Sequence, residues 1–377
     1  MAVTTIPTAG LTLGAQVNFR NLIINGDMSI AQRGTSQASI STGYNTCDRW
    51  RTSQQIGAFT QSQSTDVPTG QGFATSLKMD CTTANSSPGS TSQLSVHQRL
   101  EGQMLQQLKK GTSNAESTTM SFWVKSNKTG TYTVEISDDD NSRQISKTYT
   151  INSSDTWEKK TITFEGDTTG TLDNDNARSV EVLWWLGAGS TPKSGTFSTS
   201  WSSTTFADRV SPNQVNLADN TANEWYITGV QLEVGTSASD FEFLPHDVNM
   251  QRCMRYLQHT PFITGANSMT APTNEGIEIM GARHKFADVH GFRSETITHY
   301  VPMRVQPSFT FYNPSNSGTT GQFRLYDKDG NTQDFSGFAQ LWDRYGFNMG
   351  GYTGVSVGTA GDTVWILGMH WKADAEL

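Results

Sequence analysis

Short stretches in which apolar and polar residues alternate recur from residue 21 to residue 245, separated by glycine, asparagine and aspartate. A period of two places every second side chain on the same face of a β-strand, so each stretch is typical of a strand with one buried face. Examples are SVEVLWWLG (179–187) and YITGVQLEV (226–234). The pattern predicts an all-β fold in which residues 21–245 form a jelly-roll β-sandwich.

Three segments of this region carry more specific local signals. In residues 120–136 a turn-like Asn127–Gly130 separates two strand-like runs, and polar residues separate two more in 147–166. We expect each of these segments to form a β-hairpin. Residues 100–111 differ, because their leucine and methionine residues recur at helical spacing, which predicts a short helix.

A linking helix is predicted within residues 246–259, directly after the jelly roll. Asp247 is a suitable N-cap. The apolar stripe of this helix consists of Met250, Cys253, Met254 and Leu257. Strand-like patterns return from about residue 260, so residues 260–377 are expected to form a second, smaller β-sandwich domain. Residues 1–20 are small and polar, which is consistent with a flexible leader or with an N-terminal attachment arm that orders on a partner.

The composition narrows the class of partner. Only 16% of the residues are charged, the net charge is −8 and lysine and arginine form no runs. Nucleic acid is therefore not expected as a partner. No apolar run reaches the ~20 residues that a membrane helix needs, so no membrane insertion is expected. The three cysteines, Cys47, Cys81 and Cys253, are widely spaced, which indicates neither a disulfide framework nor a zinc site and fits folding in a reducing cytoplasm.

Eight fragments are informative when their order and spacing are considered together. They are NLIINGDMSIAQRG (21–34), CDRW (47–50), HQRLEG (97–102), TMSFWVKS (119–126), WYITGVQLEVGTSASDFEFLP (225–245), RCMRYLQ (252–258), HYVPMRVQPSFTFYN (299–313) and WKADAEL (371–377). The first five resemble the carbohydrate-binding-like jelly roll of bacteriophage tail fibre and virion structural proteins. The sixth resembles the helix that follows this module, and the last two resemble the C-terminal β-domain of the same phage proteins.

The resemblance implies a receptor-binding tail fibre protein of a virion, assembled in the host cytoplasm, that adheres to surface polysaccharide of the host cell. It further implies a homotrimer attached to other virion tail proteins. The sequence contains no H-E-x-x-H, Walker or dinucleotide-binding motif, so no enzymatic activity and no cofactor are expected. Two alternatives stay open: a purely structural virion component, such as a head fibre or tail adaptor, and a glycan depolymerase. A depolymerase would need two carboxylates about 5 to 10 Å apart, and the acidic residues here are scattered along the sequence.

No metal site is expected. Related sugar-binding modules hold a structural calcium between a carboxylate that follows the first strand and an aspartate in the closing strand. The matching positions here are Ser29 and Thr228–Gly229, which carry no carboxylate. Residues 138–141, 173–176 and 327–334 are rich in aspartate and asparagine, but such segments usually form turns whose side chains bond to their own backbone.

Five aromatic residues are candidates for stacking on sugar rings: Phe338, Trp342, Tyr345, Trp185 and Trp201. Trp184 and Trp185 are adjacent on one predicted strand, so one of them is expected to face outward. Trp201 lies in a polar, loop-like segment. The other three candidates belong to a glycine-rich segment of the C-terminal domain, which we expect to be the host-facing end of the protein. The alternative for every candidate is packing in a core or in a subunit interface.

Overall fold

The computed structural model describes residues 19–260, 277–281, 292–293, 296–313, 319–327, 329–336, 338–351 and 364–377. All but two residues of the predicted attachment arm lie outside this part of the chain. The chain divides into two compact units. Unit 1 comprises residues 1–28, 51–59 and 64–244, and unit 2 comprises residues 29–50, 60–63 and 245–377.

Antiparallel strands make up most of the described residues. In chain order they are β1 (Ser36–Gln37), β2 (Gly43–Tyr44), β3 (Arg51–Gln54), β4 (Ala58–Ser64), β5 (Ser76–Thr83), β6 (Gln93–Glu101), β7 (Thr118–Ser126), β8 (Gly130–Asp138), β9 (Arg143–Ile151), β10 (Glu158–Phe164), β11 (Arg178–Ala188), β12 (Ser202–Ser203), β13 (Glu224–Val234), β14 (Leu257–His259), β15 (Ile277–Gly281), β16 (Phe292–Arg293), β17 (Ile297–Thr298), β18 (Ser308–Asn313), β19 (Thr319–Thr320), β20 (Gln322–Asp327), β21 (Thr332–Ser336), β22 (Phe338–Trp342), β23 (Gly346–Gly351) and β24 (Val364–Asp374). The α-helix α1 spans His246–Met254.

Unit 1 is a jelly-roll β-sandwich, as predicted. One sheet has the strand order β5-β13-β7-β10 and the other the order β12-β9-β8-β11-β6-β3. The inner faces meet where Phe122 of β7 lies edge-on to Tyr149 of β9 and Trp184 of β11, with ring centroids 5.1 and 5.9 Å apart. All three rings are buried, so they form part of the core between the sheets.

The two predicted hairpins are wrong. Strand β7 pairs with β13 and β10, whereas β8 pairs with β11 and β9, so residues 127–129 carry the chain from one sheet to the other. Likewise, β9 and β10 belong to different sheets. The hairpin observed here is β8–β9, closed by residues 139–142. A turn signal marks where a strand ends, but both sheets need the same apolar period, so the signal does not fix the pairing partner.

The helix predicted in residues 100–111 is also wrong. This segment begins as the end of β6 and continues as two separate 3-10 turns, Gly102–Met104 and Gln106–Leu108. A Cβ atom at Gly102 would lie 1.9 Å from the backbone oxygen of Asp173. The backbone therefore packs too closely against its neighbour for a larger residue, and tertiary packing prevails over the helical spacing.

Unit 2 is a second, smaller antiparallel β-sandwich. Its sheets have the orders β19-β18-β24-β20-β21, with β14 and β15 also paired to β24, and β16-β23-β17, with β22 paired to β23. Phe347 of β23 meets Phe311 of β18 and Trp371 of β24, with ring centroids 6.0 and 5.2 Å apart. The acidic segment 327–334 contains the turn of the β20–β21 hairpin, as the sequence predicts, and Gly330 there has φ +81°.

Helix α1 confirms the predicted linking helix, with one difference at its start. The N-cap residue is Pro245, without a side-chain capping bond, and Asp247 lies in the first turn. Its negative charge is favourable there because helix N-termini carry partial positive charge. The helix ends at Met254, so Leu257 of the predicted stripe begins β14 instead.

Buried ion pairs join the first and last segments of unit 2. The guanidinium of Arg33 lies 3.2 Å from the carboxylate of Glu376 and 3.1 Å from that of Asp374. Arg49 is fully buried, also pairs with Glu376, and its guanidinium lies 3.4 Å above the ring centroid of Tyr256. Burial opposes ionisation of both arginines, but Glu376 and the other groups around them together outweigh it and raise their pKa values above the ordinary range.

Replacing Glu376 with Gln should lower the free energy of unfolding of unit 2 by about 3 kcal/mol, because two buried guanidinium groups then share too little negative charge. The matched control is Asp374→Asn. The Asp374 side chain is more exposed and forms an ion pair with Arg33, so the free energy of unfolding should fall by less than about 1 kcal/mol. Hydrogen exchange of the β24 amides under increasing denaturant measures both values. Equal losses for the two variants would contradict this account of the ion pairs.

Candidate functional site: an aromatic platform on unit 1

The outer face of the sheet β5-β13-β7-β10 carries a cluster of aromatic and charged side chains. Tyr226 on β13 is directly opposite Lys78 on β5 and Lys125 on β7. Residues opposite each other on paired strands point to the same face, so the three side chains project together. With their neighbours they form what we call the aromatic–lysine platform: Trp157, Tyr226, Lys78, Lys125, Asp66 and Glu224.

Two ammonium groups cover the Tyr226 ring. The Nζ atoms of Lys125 and Lys78 lie 4.5 and 5.5 Å from its centroid. Trp157 lies edge-on to Tyr226, with centroids 6.2 Å apart. Tyr226 is therefore the buried base of the platform, only 7% exposed, whereas Trp157 is half-buried. Such cation–π contacts contribute about 0.5–1 kcal/mol each at exposed sites.

Two carboxylates fix the orientation of the rings. Asp66 pairs with Lys125, and its Oδ1 atom accepts a hydrogen bond of 3.0 Å from the indole nitrogen of Trp157. Glu224 accepts bonds of 2.6 Å from both Lys78 and the Tyr226 hydroxyl. Each aromatic side chain is thus tied to one carboxylate, and that carboxylate is tied to one lysine.

These hydrogen bonds also keep the carboxylates ionised. Burial would raise the pKa of Asp66 and of Glu224, but the bonds from their lysine and aromatic partners outweigh burial and lower both pKa values. Burial and the nearby Glu224 raise the pKa of Tyr226, so its hydroxyl stays a hydrogen-bond donor. At neutral pH the platform thus presents an indole ring surrounded by two negative and two positive groups. Such a surface can stack on the C–H face of a sugar ring and bond to its hydroxyls.

The expectation that Trp184 or Trp185 faces outward is wrong. Trp184 belongs to the core, and Trp185 points to the other side of β11, where it packs with Val210 of a later loop. The Trp185 indole donates a 2.8 Å bond to Glu135, and the guanidinium of Arg209 lies 5.2 Å from its ring centroid. Strand alternation alone cannot reveal that a later loop covers the outer face. Trp185 is fully buried and offers no surface to a glycan.

The remaining candidates lie in different places. Trp201 is half-buried at a cavity of unit 1, and its indole donates a 2.7 Å bond to the backbone oxygen of Glu165. Tyr345 is 58% exposed in the turn between β22 and β23. Phe338 and Trp342 are the end residues of β22, and their side chains lie outside the described part of the structure. In unit 2 the sequence analysis missed Tyr300, which is 64% exposed.

The acidic segments of unit 1 bond to backbone, as expected for turns. Asp138 and Asp175 accept bonds from the backbone nitrogens of Asn141 and Ala177, respectively. Side chains of residues 138–141 also reach the backbone of residues 171–173. The carboxylate of Asp140 accepts a 2.9 Å bond from the backbone nitrogen of Asp173, and the Asn141 amide donates a 2.8 Å bond to the backbone oxygen of Thr171. Within the described ranges, no group of three or more His, Cys, Asp and Glu side chains is arranged to hold a metal ion. No helix in the described part of the chain is long and apolar enough to cross a membrane.

No protein-family model and no curated protein sequence matches the chain. Among solved structures, the chain is similar to the enzymatically active domain of tailspike protein 4 of bacteriophage CBA120, with 14% identity and a TM-score of 0.32. That match covers 57% of this chain and 22% of the tailspike chain, so it spans about a fifth of the phage protein.

Carbohydrate-binding modules are also similar to this chain. The CBM22-2 xylan-binding domain of Xyn10C from Paenibacillus barcinonensis has 14% identity and a TM-score of 0.29, over 52% of this chain and 98% of that domain. TmCBM61, solved with β-1,4-galactotriose, has 11% identity and a TM-score of 0.28, over 57% of this chain and 99% of the module. Likenesses this weak assign no ligand to the present chain.

Replacing Trp185 with Phe should lower the free energy of unfolding by about 1–3 kcal/mol, because the buried Glu135 carboxylate then loses a donor. Trp157→Phe is the matched control. The Trp157 indole bonds to the exposed Asp66, so we expect the free energy of unfolding to fall by less than about 0.5 kcal/mol. Urea unfolding curves measure both. If Trp157→Phe is as costly as Trp185→Phe, the platform is a packing feature.

Proposed function

We propose that the protein is a receptor-binding protein of a bacteriophage tail fibre and that the aromatic–lysine platform binds glycan on the host surface. The observation that carries the glycan part is the partly exposed indole of Trp157, held by Asp66 and surrounded by charged hydrogen-bonding groups on an open sheet face. The virion part rests on the ordered fragments by which the sequence resembles phage fibre proteins.

The charge of the platform indicates the class of glycan. Lys78 and Lys125 are matched by Asp66 and Glu224. The further carboxylate of Asp80 lies 3.8 Å from Lys78, and the whole chain has a net charge of −8. A polyanionic capsule would meet no excess of positive charge here, whereas a neutral polysaccharide can use all four groups as hydrogen-bond partners. We therefore propose a neutral glycan, with binding that depends little on salt concentration.

One platform gives only weak affinity. Stacking contributes about 0.5–1.5 kcal/mol beyond burial, and each bond to a charged group about 1.5–3 kcal/mol. Association itself costs at least about 4 kcal/mol in lost freedom of motion. One stacked ring and three bonds to charged groups at mid-range values contribute about 8 kcal/mol, so about −4 kcal/mol remains after this cost, which corresponds to a dissociation constant of about 1 mM. Firm adhesion follows from several copies on one particle, as a homotrimeric fibre would provide.

We propose binding at the platform without hydrolysis. A glycosidase acid needs a raised pKa so that it carries a proton near neutral pH. Hydrogen bonds and ion pairs lower the pKa values of both Asp66 and Glu224. These two carboxylates are therefore suited to accept hydrogen bonds from hydroxyl groups and unsuited to protonate a glycosidic oxygen.

Replacing Trp157 with Ala should weaken binding of the isolated full-length chain to host polysaccharide at least tenfold, about 1.4 kcal/mol, because the stacking surface is lost. Trp157→Phe keeps an aromatic face and should retain most of the binding. Affinity electrophoresis in gels that contain the polysaccharide measures all variants, with melting temperatures as a check of folding. Released oligosaccharides are assayed in parallel, and their appearance would contradict a purely adhesive role.

The exposed Tyr345 and Tyr300 of unit 2 favour a second location for the same function. The backbone nitrogen of His299 donates a 2.8 Å bond to the backbone oxygen of Tyr345, which places these two segments side by side. Tyr345→Ala is therefore included in the same experiment. If this variant alone abolishes adsorption while Trp157→Ala leaves it unchanged, recognition belongs to the C-terminal domain, and the platform assignment fails.

A further inference from the structure

A cavity opens between the two sheets of unit 1, far from the platform. Thr118 at the start of β7 lines it, whereas Lys125 of the platform lies seven residues further along the same strand, about 23 Å away. The space inside the cavity that solvent can reach is small, enough for about two water molecules, so it admits a methyl or acetyl group and not a whole sugar ring. Six aliphatic side chains line it: Leu100, Leu105, Leu108, Ile136, Val180 and Leu232.

One indole ring forms a fixed wall of this cavity. The Trp201 nitrogen donates a 2.7 Å bond to the backbone oxygen of Glu165, and the ammonium of Lys110 lies 4.7 Å from the ring centroid. Both contacts restrict how the ring can turn. An aromatic wall beside an aliphatic floor can hold the C–H face of a sugar ring, provided that no charged group competes for the space.

The cationic group beside the cavity is already neutralised. Lys110 pairs with Asp138, donates a 2.7 Å bond to Asp167 and a 3.1 Å bond to the backbone oxygen of Gly170, so its three donors are occupied. Arg143 donates two further hydrogen bonds, of 2.6 and 2.9 Å, to the carboxylate of Asp167. This network therefore holds the cavity wall in place and does not attract an anion.

Only the rim adds polar groups that a ligand can reach. Thr118 contributes a hydroxyl, and the side chains of Glu116 and Glu165 are each balanced by a lysine, Lys109 and Lys147 respectively. A ligand that fits has an uncharged polar ring for the rim and an apolar group for the floor. A fully hydroxylated sugar would bring hydroxyls against aliphatic side chains that offer no hydrogen bonds.

We propose that this cavity is a second carbohydrate site, which takes one uncharged sugar that carries an acetyl or a deoxy methyl substituent. The ring would lie against Trp201, and the substituent would enter the aliphatic floor. This inference deepens the proposed glycan adhesion and rests on it for the class of ligand. The platform would then hold a polysaccharide chain by its open face, and the cavity would select one substituted residue.

The test compares matched sugars on the full-length chain. N-acetylglucosamine is titrated against glucose, and L-rhamnose against L-mannose, with binding followed by chemical-shift changes of the Trp201 indole N–H. We expect each substituted sugar to bind at least tenfold more tightly than its partner. Leu108→Trp places a ring at the half-buried mouth of the cavity and should abolish this binding, whereas Trp157→Ala should leave it unchanged.

Several outcomes would overturn the inference. They are no binding by any of the four sugars, equal binding within each pair, and binding of free indole without binding of a sugar. Trp201→Ala serves as a second variant if circular dichroism shows that Leu108→Trp does not fold. Because this variant lacks the indole N–H, its sugar binding is measured by isothermal titration calorimetry beside the unchanged chain, and retained binding also contradicts the proposal. If none of the sugars binds as expected while the chain still binds the polysaccharide, the cavity site is wrong and the platform proposal stands. If Trp157→Ala alone abolishes binding of the polysaccharide, all recognition belongs to the platform.

Discussion

Unit 2 depends on one buried carboxylate that serves two arginines. Glu376 pairs with Arg33 and Arg49, both of which are buried, and Arg49 also stacks on Tyr256. An isolated buried guanidinium costs several kcal/mol, so none of these groups is tolerated in the interior without the others. The interaction therefore fixes three distant segments of chain together: residues 29–50, helix α1 with its C-terminal extension, and the end of β24.

This convergence brings together four of the eight sequence fragments. NLIINGDMSIAQRG supplies Arg33, CDRW supplies Arg49, RCMRYLQ supplies Tyr256 and WKADAEL supplies Glu376. These fragments mark packing in unit 2. Of the platform, by contrast, Trp157, Asp66, Lys78 and Glu224 lie outside every fragment. The fragments therefore supply the ion pairs of unit 2, whereas most of the platform lies outside them.

The sequence predicts local features of the fold well, because period and turn chemistry are local. It predicts β11, helix α1 and the β20–β21 hairpin, each from residues that are neighbours in sequence. It fails for the hairpins that were expected around β7 and β10, because the true partners are distant in sequence. The platform was missed for the same reason: Tyr226 meets Lys78 and Lys125 only through the pairing of β13 with β5 and β7.

The ion pairs of unit 2 have a consequence for biosynthesis. Arg33 and Glu376 are 343 residues apart, and ribosomes add about 5–20 residues per second. For roughly 20 to 70 seconds the emerging chain carries two arginines whose partner does not yet exist. During that interval the two guanidinium groups lack the carboxylate that neutralises them in the folded chain. A translation product that stops before Glu376 would never gain this carboxylate, which makes truncated chains easy for cellular proteases to recognise.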